Sequence, residues 1–153
     1  MCSTAYFHPF VSGILELKRG SYREGVIEMA KILIADDDRD FRRILGRALQ
    51  HEGFNVVIAG DGQEALALAR TEKPDLMLLD VLMSRMYGTE VAAALREDRT
   101  TEHIPVIFLT GLKSNYDNLG IPCHDFGEVL AKPLDYVALI STIQDRLHAV
   151  DSF

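Results

Sequence analysis

From Lys31 onward the chain alternates between two hydrophobic rhythms. Short, almost continuous apolar runs occupy Ile32–Ala35, Asn55–Ala59, Leu76–Leu79, Val106–Leu109 and Val129–Ala131. Runs this short, rich in Leu and β-branched residues, suit strands of a parallel sheet covered on both faces. Between them the apolar positions recur at helical spacing. Phe41, Ile44, Leu45, Ala48 and Leu49 fall at i, i+3, i+4, i+7 and i+8, one apolar stripe with Asp38 or Asp40 to cap its start and Gly53 beyond its end. The stretch "DGQEALALAR" predicts a second helix capped by Asp61, with Ala65, Leu66 and Ala69 inward. The stretch "GTEVAAALRE" predicts a third, built on Val91, Ala92 and Leu95. "PLDYVALISTIQDRLHAV" predicts a long last helix with Pro133 near its first turn and Val137, Ile140 and Leu147 inward. "LKSNYDNLGIPCHDFGE" carries Gly120, Pro122 and Gly127 and few apolar residues, so a short or frayed helix is expected there.

Five strands alternating with helices imply βαβ units, and right-handed crossovers then give a doubly wound α/β sandwich. Ligands of such folds bind outside the carboxyl ends of the strands. Asp36 and Asp37 stand after the first strand and Asp80 after the third. Thr110 and Gly111 follow the fourth, and Lys132 and Pro133 the fifth. Three carboxylates, a hydroxyl and an ammonium are thus expected on one rim of the sheet. Clustered carboxylates raise one another's pKa unless a cation relieves them. Mg2+ takes a few carboxylates and keeps several waters. Lys132 could hold one phosphoryl oxygen and Thr110 another, which leaves Asp80 as the nucleophile for an aspartyl phosphate. Positioning and charge neutralisation would carry most of such an in-line transfer. A capped helix start with solvated acids accounts for Asp38 alone, but poorly for three acids in a row.

With these residues in place, positions 31–149 resemble the receiver domain of bacterial two-component response regulators. The acidic pair falls on Asp36 and Asp37, the phosphoacceptor on Asp80, the hydroxyl on Thr110, and the lysine on Lys132 before Pro133. The resemblance implies a flavodoxin-like five-stranded parallel sheet of order 2-1-3-4-5 with helices on both faces. It also implies a Mg2+ site made by Asp37, Asp80 and the backbone carbonyl of Leu82, with Asp36 reaching the ion through water. The phosphoryl donor would be a phosphohistidine on a sensor histidine kinase or phosphotransfer protein, and the output a contact with a further protein. Such a domain accepts a phosphoryl group without being a turnover enzyme.

The sequence departs from the family in the loop after Asp80, where Ser84 replaces a proline and Tyr87 a small or acidic residue. Val129 stands where the family has the aromatic that swings with the hydroxyl residue, unless Phe126 substitutes from nearby. Leu82 and Leu112 occupy the two positions that flank the hydrolytic water in the family, which predicts a long-lived phosphoryl group.

Composition narrows the alternatives. The 153 residues carry a net charge of −7, which disfavours nucleic acid and anionic membranes as partners. Cys2 and Cys123 can build neither a disulfide framework nor a CxxC zinc site, so a cytoplasmic location is expected. The five histidines show no ligand spacing. Residues 1–30 read as a separate extension before a receiver domain at 31–150. "MAKILIADDD" makes Met29 a plausible native start, with residues 1–28 arising from an upstream start. Alternatively Phe10, Val11, Ile14, Leu15 and Leu17 form an amphipathic segment that docks on the domain or makes a homodimer. Almost nothing follows the last helix, so a stand-alone switch is expected.

Two rival functions use the same residues. One is a Mg2+-dependent phosphatase with Asp36 as nucleophile and Asp38 as general acid. The other is a degenerate receiver that binds partners without phosphorylation. A flavin-binding module of the same fold is disfavoured, because an acidic first loop repels a phosphate.

Overall fold

The computed structural model describes residues 29–111 and 123–151. The proposed amphipathic segment in residues 1–28, Leu112, Gly120 and Pro122 lie outside them. Five strands form one sheet: β1 (Lys31–Ala35), β2 (Asn55–Ala59), β3 (Leu76–Asp80), β4 (Val106–Thr110) and β5 (Glu128–Ala131). All the pairings are parallel and the order is β2-β1-β3-β4-β5. The helices are α1 (Arg39–His51), α2 (Gly62–Glu72), α3 (Gly88–Glu97), the four-residue α4 (Cys123–Phe126) and α5 (Tyr136–Asp151). This is the doubly wound α/β architecture expected from the alternation. The short helix expected in the irregular stretch is α4, at its end.

The period of two along each central strand sends neighbours to opposite faces. Leu33, Ala35, Met77, Leu79, Val106 and Phe108 pack beneath α2 and α3, against Ala65, Ala69, Val91, Ala92 and Leu95. Ile32, Ile34, Leu76, Leu78, Ile107 and Leu109 pack beneath α1 and α5, against Leu45, Leu49, Leu139, Ile140, Ile143 and Leu147. The three inner strands are buried almost throughout. The two edge strands are not: β2 and β5 are half-buried or exposed along most of their length.

Three details differ from the hydrophobic pattern. Ile44 is 65% exposed, because Leu45 and Leu49 set the inward direction of α1 and Ile44 falls on its flank. Val137 is 78% exposed rather than inward. The inward stripe of α5 starts at Leu139, and a residue two positions earlier lies about 200° around the helix. Pro133 lies outside α5, after a cis peptide bond with Lys132; Asp135 caps the helix by accepting the Ala138 N–H at 3.1 Å.

Helix ends are closed by local acids. Asp38 accepts the N–H groups of Asp40 (3.0 Å) and Phe41 (3.1 Å), so it rather than Asp40 caps α1. Asp61 accepts the Glu64 N–H at 2.9 Å, and Glu64 reaches back to the Gly60 N–H at 2.7 Å. These reciprocal bonds satisfy donors that the first turn of a helix leaves open. At the other end of α1, Gly53 takes φ 94°, the left-handed region that glycine enters freely. Lys73 takes φ 48° at the end of α2 without that freedom. No helix among the described residues is long and apolar enough to cross a membrane.

Candidate functional site

Parallel strands end on a common rim, and the polar residues that follow them meet there. Asp36 follows β1, Asp80 closes β3, Thr110 closes β4 and Lys132 follows β5. One carboxylate oxygen from each of Asp36, Asp37 and Asp80 lies within 4.8 Å of the others. Asp36 is 1% exposed, Thr110 3% and Asp80 9%, whereas Asp37 faces solvent. The residues predicted from strand ends are therefore brought together.

Asp36 is held on every side. Its Oδ2 accepts from Lys132 Nζ at 2.5 Å and its Oδ1 from the Asp38 N–H at 2.9 Å. Its backbone carbonyl accepts from Arg42 Nη1 at 2.6 Å. Lys132 Nζ also lies 3.7 Å from Asp80 Oδ2 and 4.0 Å from the centroid of the Phe41 ring. The backbone N–H of Lys132 donates to the Thr110 carbonyl at 2.6 Å, and Thr110 pairs with Ala131 in the sheet register, so the ends of β4 and β5 are locked together.

Asp80 is the strained member of the cluster. Burial first, and the Asp36 charge second, push its carboxyl from 3.8 up to about 6. Lys132 and a hydrogen bond from the Leu82 N–H pull the other way, and Asp37 adds a smaller upward push. The side chain of Leu82 is exposed. The loop beyond it turns through Arg85 at φ 70°, whose guanidinium lies 3.5 Å from Asp61. The loop then returns at Gly88, whose N–H donates to the Val81 carbonyl at 2.9 Å. A Cβ on Gly88 would stand 2.2 Å from the Asp80 carbonyl oxygen, so only glycine allows this approach. Ser84 and Tyr87 are exposed, and the Tyr87 N–H donates to Glu90 Oε2 at 2.7 Å at the start of α3. Val129 and Phe126 are half-buried against the α2–α3 side of the core.

Lys132 does not balance three carboxylates, and oxygen donors are the set that a small hard divalent cation takes. The residues present therefore fit Mg2+. Two members of the site were not singled out by the sequence. Arg42 and Phe41 sit in the first turn of α1, six and five residues after Asp36. Phe41 was visible only as part of an apolar stripe, and nothing in its spacing signals a lysine from the far edge of the sheet.

The family profile of the response regulator receiver domain matches residues 32–144. The transcriptional regulatory protein CpxR of Escherichia coli strain K12 is 41% identical over 124 residues, covering 78% of this chain and 51% of CpxR. The chain spans from about a quarter to about half the length of such curated relatives. Among solved structures, a CheY-like receiver domain protein from Methanospirillum hungatei superposes with a TM-score of 0.73 at 27% identity, covering 82% of this chain and 98% of that one. TrrA from Thermotoga maritima, solved in complex with Mg(2+)-BeF, gives 0.69 at 28% identity, covering 77% and 99%. Matched along most of its length in sequence and in fold, the chain belongs to the response regulator receiver domain family.

Proposed function

We propose that this chain is a phosphorylation switch in which Asp80 accepts a phosphoryl group from a phosphohistidine of a sensor histidine kinase or phosphotransfer protein. The observation that carries the reading is the placement of Lys132, 2.5 Å from Asp36 and 3.7 Å from Asp80, on the rim where the acids converge. Asp80 Oδ attacks phosphorus; the P–O bond forms as the P–N bond breaks, and the histidine nitrogen keeps the electron pair. Asp80 must be ionised to do this, and near neutral pH a carboxyl at about 6 is largely so. Lys132 and Thr110 then hold the phosphoryl oxygens.

Asp37, Asp80 and the Leu82 carbonyl would hold Mg2+, with Asp36 engaged through water. When bound, the ion neutralises charge on the transferring phosphoryl group. The Mg(2+)-BeF complex of TrrA supports both the ion and the phosphoryl site. The output is a contact with a further protein or passage of the phosphoryl group along a relay, without catalytic turnover. The rival with Asp36 as nucleophile is poorly served, because Asp36 is buried and both its oxygens already accept hydrogen bonds.

The test is mass analysis after reaction with Mg2+ and acetyl phosphate. Wild type is expected to gain one phosphoryl group on Asp80 and Asp80→Asn none. An adduct on Asp36, or none on wild type, overturns the reading.

A further inference from the structure

We propose that Phe41 is a positioning residue for Lys132, its ring face holding the ammonium at the rim where a phosphoryl oxygen is bound. The inference rests on the reading of Asp80 as acceptor.

Lys132 follows β5, whereas Phe41 and Asp36 follow β1, and β3 and β4 stand between these strands. The lysine side chain therefore reaches across the rim, and a long flexible side chain loses entropy when held extended. Its Nζ meets three neighbours at the far end: Asp36 at 2.5 Å, Asp80 at 3.7 Å and the Phe41 ring centroid at 4.0 Å. The two carboxylates compete with a phosphoryl oxygen for the ammonium's N–H donors. The ring does not. It attracts the cation through its quadrupole and leaves those donors free to turn.

Phe41 is itself fixed. It lies in the first turn of α1, its N–H donates to the Asp38 carboxylate at 3.1 Å, and its half-buried side chain packs against the α1–α5 side of the core. The ring is thus anchored on the β1 side, and Lys132 is the long side chain that reaches it. Leucine keeps most of the apolar packing but not the ring face, and tyrosine keeps both, so the variants separate the two roles.

The experiment compares the full chain with Phe41→Leu and Phe41→Tyr, after confirming that each melts cooperatively. Phe41→Met replaces Phe41→Leu if the latter does not fold. NMR of lysine-labelled protein reads the Lys132 Cε protons, assigned by their loss in Lys132→Met. They are expected to be shifted by the ring current in wild type and Phe41→Tyr and to return to ordinary values in Phe41→Leu. Phosphoryl gain from acetyl phosphate with Mg2+, and affinity for beryllofluoride, are expected to fall about three- to tenfold in Phe41→Leu. Phe41→Tyr should stay within about twofold of wild type in both, the range that a retained ring contact allows. An unshifted Lys132 signal in wild type overturns the proposal, as does a Phe41→Leu protein that reacts and binds like wild type. If wild type takes no phosphoryl group, the acceptor reading fails, while the NMR comparison still decides the contact.

Discussion

Lys132 Nζ lies 2.5 Å from Asp36 Oδ2, although 96 residues separate the two and their strands are not neighbours. Asp36 is buried and Lys132 is 20% exposed, so removing the lysine leaves a nearly fully buried carboxylate without its charged partner. In divalent-free buffer Lys132→Met is expected to cost about 2–3 kcal/mol in urea unfolding, below the range for fully buried pairs because the lysine end is partly solvated. Adding Asp36→Asn should recover much of that loss. A double variant as unstable as the sum of the singles would remove the coupling.

Asp80 predicts a pH dependence of definite sign. Its carboxyl titrates at about 6 in the folded protein against 3.8 without the fold. Between those values the folded chain keeps a proton that the unfolded chain has released. The group's stabilising contribution is therefore complete below about pH 4 and is lost as pH rises through about 6. Asp80→Asn should be more stable than wild type by about 1–3 kcal/mol near neutral pH without divalent ions. Most of that gap should close towards about pH 4, the unfolded value. Millimolar Mg2+ should narrow it from the other side by stabilising wild type. An asparagine variant less stable at neutral pH would contradict the crowding of Asp80 by its neighbours.

Asp38 is the third acid of the run, and it closes a helix. Asp38→Ala is expected to lose about 1 kcal/mol, whereas Asp38→Ser keeps a capping oxygen and most of the stability. The two variants carry equal charge, so their Mg2+ affinities should match by isothermal calorimetry. Weaker binding in the alanine variant alone would move Asp38 into the metal site.

Gly88 tolerates no side chain. Gly88→Ala places a methyl carbon 2.2 Å from the Asp80 carbonyl oxygen, a backbone atom that cannot swing aside. A loss of about 3 kcal/mol or more is expected in thermal or urea unfolding, together with weaker Mg2+ binding, because the loop that must move carries Leu82.

Lys73 predicts a gain. It holds φ 48° at the end of α2, where a residue with a Cβ is strained and glycine is not. Lys73→Gly should raise stability by about 0.5–1 kcal/mol, readable as a higher urea midpoint at unchanged slope.

The strands were legible to within a residue at either end because the inner ones are apolar on both faces and end in chemistry. The cap at Asp61 was legible because a side-chain acceptor before an apolar stripe has few other uses, whereas the run of acids left Asp38 and Asp40 as equal candidates until the geometry chose Asp38. Ile44 and Val137 misled for a shared reason: periodicity gives a helix an apolar side but not the angle at which it meets the sheet. The strand-end acids, Thr110 and Lys132 could be found from topology alone, since a parallel sheet delivers every strand end to one rim. Phe41 and Arg42 could not, because their importance depends on which side chain crosses the rim to meet them.

The charges of the rim are unevenly distributed along the chain. Asp36, Asp37 and Asp80 leave the ribosome well before Lys132, which comes after the last strand. A nascent chain with four strands folded would carry three mutually repelling acids and no lysine to offset them. Docking of β5 is therefore the step that brings a positive charge to the three acids, and the edge strand supplies electrostatics to the rim as well as a place in the sheet.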